Sequence, residues 1–163
     1  MEKFISLKGF SSKAIGNLGR PALDYVDIKK DYFVIEVSSF HLEISDNLKS
    51  DLSILLNITE DHLDRHKTFD NYKNIKNSIF NNSNLSIGNK DDENIRKDLT
   101  NYFDGNVNLD IANLNAVKAT LDNIGLNYSF KELEEQKFKP EHRMEVFYKD
   151  KLNRVFINDS KAT

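Results

Sequence analysis

Two runs of residues with apolar side chains on both faces constrain the fold of this chain most strongly. The first covers 32–37, with the sequence YFVIEV, and the second covers 52–58, with the sequence LSILLNI. Runs of this kind are typical of strands in a parallel sheet that helices cover on both sides. A weaker run lies at 85–87, after a pattern of apolar residues at three- and four-residue spacing that begins near Thr68. The order strand, helix, strand predicts a βαβ unit, and therefore an α/β fold with a mostly parallel sheet flanked by helices.

Two further helices are predicted in the second half of the chain. The first has Asp110 as its N-cap and ends at Gly125. The second opens with a capping box at 129–132 and must end before Pro140. The stretch 88–107 is polar and aperiodic, so the sequence predicts no element there.

A change in the sequence pattern after Pro140 predicts a second domain. Residues 144–148 and 154–157 have the pattern of two strands joined by a polar turn. The domain boundary is therefore expected near 138, with 1–137 in one domain and 138–163 at the start of another.

Composition limits the classes of partner. The chain has 163 residues, a net charge of −3 and no cysteine. An acidic balance argues against binding of nucleic acid through an overall basic field, and no apolar run approaches the ~20 residues of a membrane span. Without cysteine, disulfides and thiolate metal sites are impossible. We expect a cytoplasmic protein with neither a nucleic-acid nor a membrane partner.

Polar residues follow each predicted strand, and in parallel sheets ligands collect at this edge. Glu36 and Ser38 follow the first strand, and an acidic loop with His62 and His66 follows the second. Carboxylate and imidazole ligands on neighbouring strands suit Mg²⁺ or Mn²⁺. From the residues alone, an ordinary interpretation is equally open: Glu36 as a partly buried partner of a lysine or arginine, and the loop as a solvated turn.

Lys76 lies on the same side of its predicted helix as Tyr72 and Phe80, each four residues away. A lysine in such a position most often extends its ammonium group to water. The alternative is that burial lowers the pKa of its amine, which then adds CO₂ to form a carbamate, an anionic oxygen ligand for Mg²⁺. Spacing alone does not choose between the two.

Six strings in order resemble the Mur ligases of peptidoglycan synthesis, and two of them, through SSFHLE and NDSKAT, are similar to the branch that adds D-glutamate. The strings are GNLGRPAL, VIEVSSFHLE, LNITEDHLDRH, NYKNIK, PEHRMEVF and FINDSKAT. The resemblance implies an ATP-dependent amide ligase that joins D-glutamate to UDP-N-acetylmuramoyl-L-alanine through an acyl phosphate, with Mg²⁺ neutralising charge.

The resemblance also implies roles for ten positions. The metal and catalytic positions are Glu36, His62 and Lys76, with Lys76 carbamylated; the substrate positions are Asn17, Ser38 and Thr163; the nucleotide positions are Asn113, Arg143, Asp159 and Lys161.

Departures from the family pattern limit what we expect of this chain. The family's phosphate-binding loop, of the type GxxxxGK[ST], is absent, and it is expected upstream of Gly16. Leu109-Asp110 stands where the family usually has a His-Asn pair. We therefore expect an incomplete Mur ligase central domain followed by the first β-hairpin of a Rossmann-like C-terminal domain, inactive in isolation.

Two expectations about association and two alternative functions accompany this interpretation. The intact family member is expected to be a monomer, whereas this chain is expected to self-associate through apolar sheet faces that lack cover. One alternative function is that of another Mur ligase or a folylpolyglutamate synthase. The other is a non-catalytic module that binds a partner.

Overall fold

The computed structural model describes residues 1–18, 21–135 and 145–158. The chain divides into two compact units, 1–129 and 130–163. Among the described residues, the helices are too short or too polar for a transmembrane span. The domain assignment 1–137 and 138–163 stays a prediction.

The first unit opens with a two-stranded parallel sheet. Helix α1 (Glu2–Leu7) precedes strand β1 (Ser12–Gly16), a short 3₁₀ turn covers Ala22–Tyr25, strand β2 covers Tyr32–Glu36, and helix α2 covers Ser39–Glu43. The register pairs Ser12 with Tyr32 and Gly16 with Glu36. Gly16 has φ +91°, and a Cβ there would lie 2.3 Å from the carbonyl oxygen of Glu36. Only glycine therefore allows the carboxyl ends of β1 and β2 to approach this closely.

A three-stranded parallel sheet follows in the same unit. Its elements are β3 (Ser50–Leu55), α3 (Leu63–His66), α4 (Phe69–Asn77), β4 (Ser83–Asn89), β5 (Asn101–Phe103) and α5 (Leu109–Asn123). The strand order is β3-β4-β5. Helix α4 begins after Thr68, whose side chain accepts a hydrogen bond from the backbone N–H of Asn71 at 3.2 Å. The predicted βαβ unit, with its predicted N-cap, is thus confirmed.

Two apolar clusters pack against this second sheet. One joins Leu55 and Ile58 to Tyr72, Phe80 and Ile95. The other surrounds Ile87, which has no exposed surface, and includes Phe103 and Ala116. These contacts fix α4 and α5 against the three strands, because burial of apolar surface is the main force that holds helices on a sheet.

The second unit contains helix α6 (Phe130–Glu135) and an antiparallel hairpin of β6 (Glu145–Lys149) and β7 (Val155–Asn158). The carboxylate of Asp150 accepts hydrogen bonds from the backbone N–H groups of Leu152 and Arg154, which closes the turn. The predicted hairpin is confirmed.

The α/β class and the parallel pairing are confirmed, but the parallel strands form two separate sheets, because β2 does not pair with β3. The expectation that β2 is buried on both faces is wrong, since Phe33 and Ile35 are 37% and 47% exposed. An apolar sequence run records a preference for burial and not the presence of a neighbour that covers it.

Two smaller expectations were also wrong. The N-cap of α5 is Asn108, whose Oδ1 accepts a hydrogen bond from the N–H of Ile111 at 3.0 Å, whereas Asp110 lies in the first turn. Strand β5 lies within the stretch where no element was predicted. Three residues are too few to show a periodicity.

Candidate active site

Asn17 and Glu36 meet where β1 and β2 end. The amide Nδ2 of Asn17 donates a hydrogen bond to Oε1 of Glu36 at 3.2 Å, and the backbone N–H of Asn17 donates to the carbonyl oxygen of Glu36 at 2.9 Å. Glu36 is exposed. Asn17 thus orients one carboxylate oxygen of a side chain that is accessible to solvent.

Lys76 lies on α4, close enough to Glu36 and Asp61 for their charges to act on its amine. Burial lowers the pKa of Lys76 below its ordinary value, and the negative charges of Glu36 and Asp61 act in the opposite direction. A lysine that reaches into water would not lose hydration in this way. The lowered pKa increases the fraction of neutral amine, which is the form that reacts with CO₂.

His62 and Asp61 form a close pair in the loop after β3. His62 has a left-handed backbone with φ +52°, and its N–H donates a hydrogen bond to Oδ1 of Asp61 at 2.8 Å. Its Nε2 lies 3.5 Å from Oδ2 of Asp61, and its ring lies 4.9 Å from that of Phe40. Sequence reasoning did not single out Asp61. Its place directly before the loop histidine was the available signal, but its influence on Lys76 follows only from the tertiary fold.

Ser38 caps helix α2 in a reciprocal arrangement with His41. The hydroxyl oxygen of Ser38 accepts a hydrogen bond from the N–H of His41 at 3.3 Å, and the N–H of Ser38 donates to Nδ1 of His41 at 3.2 Å. This is the capping box that a glutamate or glutamine usually completes. The arrangement places Ser38 two residues beyond Glu36 at the same strand end.

The donor chemistry of this strand edge fits a hard divalent cation. Within the described ranges, no group of three or more histidine, aspartate or glutamate side chains could by itself hold a metal ion. Glu36 supplies a carboxylate, His62 an imidazole, and Lys76 would add oxygen donors as a carbamate. Oxygen-rich sets of this kind suit Mg²⁺.

A cavity of about 220 Å³ lies beyond the carboxyl ends of β3, β4 and β5. Asn113 on α5 lines it, together with Asn57 after β3, Asn89 at the end of β4, and Leu109. The cavity thus combines amide donors and acceptors with apolar walls. Leu109 forms part of the cavity wall, and it is one of the two residues at which the sequence departs from the family's His-Asn pair.

Four of the predicted site residues lie outside the described residues, and their roles stay predictions. They are Arg143, Asp159, Lys161 and Thr163. Of the other six, the structure groups Asn17, Glu36 and Lys76 around one strand end, with Ser38 nearby and His62 linked through Asp61. Asn113 lies at a separate cavity.

Comparisons with known proteins identify the family of this chain. Residues 17–146 match a family model described as the Mur ligase middle domain. The UDP-N-acetylmuramoylalanine–D-glutamate ligase of Pseudothermotoga lettingae is 32% identical over an alignment that covers 95% of this chain and 43% of that protein. The enzyme of the same name from Buchnera aphidicola subsp. Acyrthosiphon pisum is 41% identical over 57% of this chain and 21% of its own length.

A solved structure supports the fold. The crystal structure of UDP-N-acetylmuramate-alanine ligase from Thermotoga maritima superposes with a TM-score of 0.53 at 16% identity, covering 97% of this chain and 52% of that one. The chain spans less than half the length of the curated relatives it matches. Since the middle-domain match covers most of the sequence, the chain belongs to the Mur ligase family.

Proposed function

We propose that this chain is part of an ATP-dependent ligase that joins D-glutamate to UDP-N-acetylmuramoyl-L-alanine in peptidoglycan synthesis. The observation that carries the proposal is the grouping of Glu36, Asp61 and Lys76 at one edge of the parallel strands. The names of the relatives at 32% and 41% identity support this substrate pair.

Glu36, His62 and carbamylated Lys76 would hold Mg²⁺. The ion, when bound, supplies positive charge that offsets the repulsion between a carboxylate and a triphosphate. Asn17 donates a hydrogen bond to one oxygen of Glu36, which limits rotation of the carboxylate. Asp61 accepts a hydrogen bond from the backbone N–H of His62 and adds negative charge that acts on the Lys76 amine.

The chemistry proceeds in two steps. An oxygen of the alanine carboxylate forms a bond to the γ-phosphorus of ATP, the bond from that phosphorus to the bridging oxygen breaks, and ADP leaves. The amine of D-glutamate then attacks the acyl carbon, inorganic phosphate departs, and the amine loses a proton. In this proposal Asn17 and Ser38 contact the muramoyl-alanine substrate, and the cavity lined by Asn113 receives adenine.

A chimeric enzyme tests the proposal. Residues 14–163 replace the matching segment of the Pseudothermotoga lettingae ligase, and formation of the D-glutamyl product is measured by mass spectrometry. The chimera should form product with D-glutamate and not with other amino acids. Lys76→Arg should lower the rate by roughly 100-fold, because an arginine forms no carbamate while a charge remains.

Lys73→Arg is the matched control, since Lys73 lies on the same helix and pairs with Asp70 at 2.8 Å. It should leave the rate within about twofold of the parent chimera. A folded chimera without D-glutamate ligation, or with equal losses in the two variants, would contradict the proposed function.

A further inference from the structure

His66, the second histidine of the loop after β3, has no role in the proposed reaction and is almost completely buried. It is 1% exposed, and Nε2 of its ring lies 3.0 Å from the hydroxyl oxygen of Ser39, which is 4% exposed. The ring stacks on Phe40 with a centroid distance of 5.5 Å and contacts Tyr72 at 5.4 Å. A polar contact this deeply buried is stronger than one in water and costly to lose.

The other nitrogen of the ring indicates how this hydrogen bond is oriented. Among the described residues, Nδ1 of His66 has no hydrogen-bond partner. A buried N–H without an acceptor is rarer than a buried acceptor without a donor. The proton therefore belongs on Nε2, which donates to the Ser39 hydroxyl.

The backbone around His66 is also held. Its carbonyl oxygen accepts hydrogen bonds from the N–H of Thr68 at 2.8 Å and from Nδ2 of Asn71 at 3.0 Å. His66 is therefore fixed to the start of α4, the helix that carries Lys76. Ser39, its partner, is the first residue of α2, three positions after Glu36.

We infer that His66 is a positioning residue that joins the two separate sheets at their active-site edge. The strands β2 and β3 are not hydrogen-bonded to each other. The buried bond between His66 and Ser39 joins α3, which follows β3, to α2, which follows β2. It sets the spacing between Glu36 on one side and His62 and Lys76 on the other, and in this respect the inference rests on the proposed function.

A second link between α2 and α3 is an exposed ion pair. Arg65 donates to Oε2 of Glu43 through Nε at 3.1 Å and Nη2 at 3.0 Å. Exposed pairs of this type contribute little to stability. We expect the buried bond to contribute more to the spacing of the two elements than the exposed Arg65–Glu43 pair does. Glu43→Gln, which weakens the exposed pair, is the matched control.

Pulsed EPR distances between spin labels test the inference, because the chain contains no cysteine. Labels at Ile44→Cys and Asn74→Cys report the separation of α2 from α4, and both positions are exposed. A control pair, Asn74→Cys and Lys118→Cys, lies entirely on the helices of the three-stranded sheet. His66→Leu and Ser39→Ala should broaden the first distance distribution roughly twofold and leave the control pair unchanged.

His66→Gln should restore the narrow distribution, since the glutamine amide can donate in place of Nε2. Glu43→Gln should have no effect on it. An unchanged distribution in both His66→Leu and Ser39→Ala would overturn the inference. Equal broadening of the control pair, or failure of the glutamine to restore order, would also overturn it, because His66 would then act by packing alone.

Mn²⁺ affinity of the same variants separates this inference from the proposed function. His66→Leu should weaken Mn²⁺ binding about tenfold, whereas His66→Gln should retain it. If the parent chain binds no Mn²⁺, the metal site fails, while the EPR distances still decide the role of His66. If the parent chain binds Mn²⁺ and His66→Leu binds it equally well, the positioning role is refuted.

Discussion

At the scale of single residues, the amine of Lys76 connects folding with protonation. The pKa of Lys76 in the folded chain lies below the ordinary 10.5. At a pH between these two pKa values, the unfolded chain therefore binds more protons than the folded chain. Stability therefore rises with pH in that window. Lys76→Met should be more stable than the parent at pH 7, and its advantage should shrink as the pH approaches 10.5. Urea unfolding in CO₂-free buffer measures this difference.

The control for this titration is Lys73→Met, which removes a lysine with a nearby exposed carboxylate partner on the same helix. Its difference from the parent should stay within about 0.5 kcal/mol at every pH. A Lys76→Met advantage that does not change with pH would show that the buried ammonium is not the source.

Carbamylation of Lys76 has a direct spectroscopic test. In ¹³C-bicarbonate, the chain should give a carbamate resonance that increases from neutral to mildly alkaline pH, because only the neutral amine adds CO₂. Lys76→Arg should lack the resonance, and Lys73→Arg should keep it. A resonance that persists in Lys76→Arg would assign the modification to another amine.

Gly16 makes the approach of β1 to β2 sterically possible. Gly16→Ala should cost about 2–3 kcal/mol of unfolding free energy, since the new Cβ would meet backbone atoms in a left-handed conformation. Gly9→Ala shares a positive φ of +88° but meets nothing within 4 Å. It should cost only about 1 kcal/mol. Equal losses in chemical denaturation would refute the steric explanation.

At the scale of elements, the start of α5 distinguishes a hydrogen-bonded cap from a carboxylate in the first turn. Asn108→Ala removes the acceptor for the Ile111 N–H and should cost about 1 kcal/mol. Asp110→Ala removes only a favourable charge near the helix N-terminus and should cost about 0.3–0.5 kcal/mol. Denaturation of both variants checks the order, and a larger loss for Asp110→Ala would place the cap where the sequence had predicted it.

Sequence patterns predicted the elements that are specified by residues close together in the chain. Helix α4 was predictable because Thr68 and the apolar spacing agree, and the hairpin β6–β7 because its turn chemistry is explicit. Strand β5 was not, since Asn101–Phe103 acquires its strand geometry from pairing with β4. In the candidate site, the sequence pattern predicted Glu36 at the end of a strand, and the role of Lys76 came from the family resemblance and stays a prediction. The influence of Asp61 on Lys76 and the burial of His66 depend on contacts between distant segments, which no local pattern records.

At the scale of the whole molecule, the division of the parallel strands into two sheets leaves an unpaired edge. In the described part of the chain, β2 pairs only with β1, and its side chains Phe33 and Ile35 are substantially exposed. Unpaired strands with apolar side chains are sites of association. The alignment with the Pseudothermotoga lettingae protein is longer than this chain. That protein therefore has residues with no counterpart in this sequence.

We therefore expect the chain to self-associate in a concentration-dependent manner in sedimentation-velocity experiments. Ile35→Thr should weaken association about tenfold, because it retains strand propensity but removes apolar contact worth about 1.4 kcal/mol. Ile44→Thr is the matched control: Ile44 is 77% exposed but lies at the end of α2, outside both sheets, so its replacement should not change the association constant. A monomer at all concentrations would show that exposed apolar residues on β2 do not suffice for pairing. Equal weakening by the two variants would show that association depends on general surface hydrophobicity and not on the strand edge.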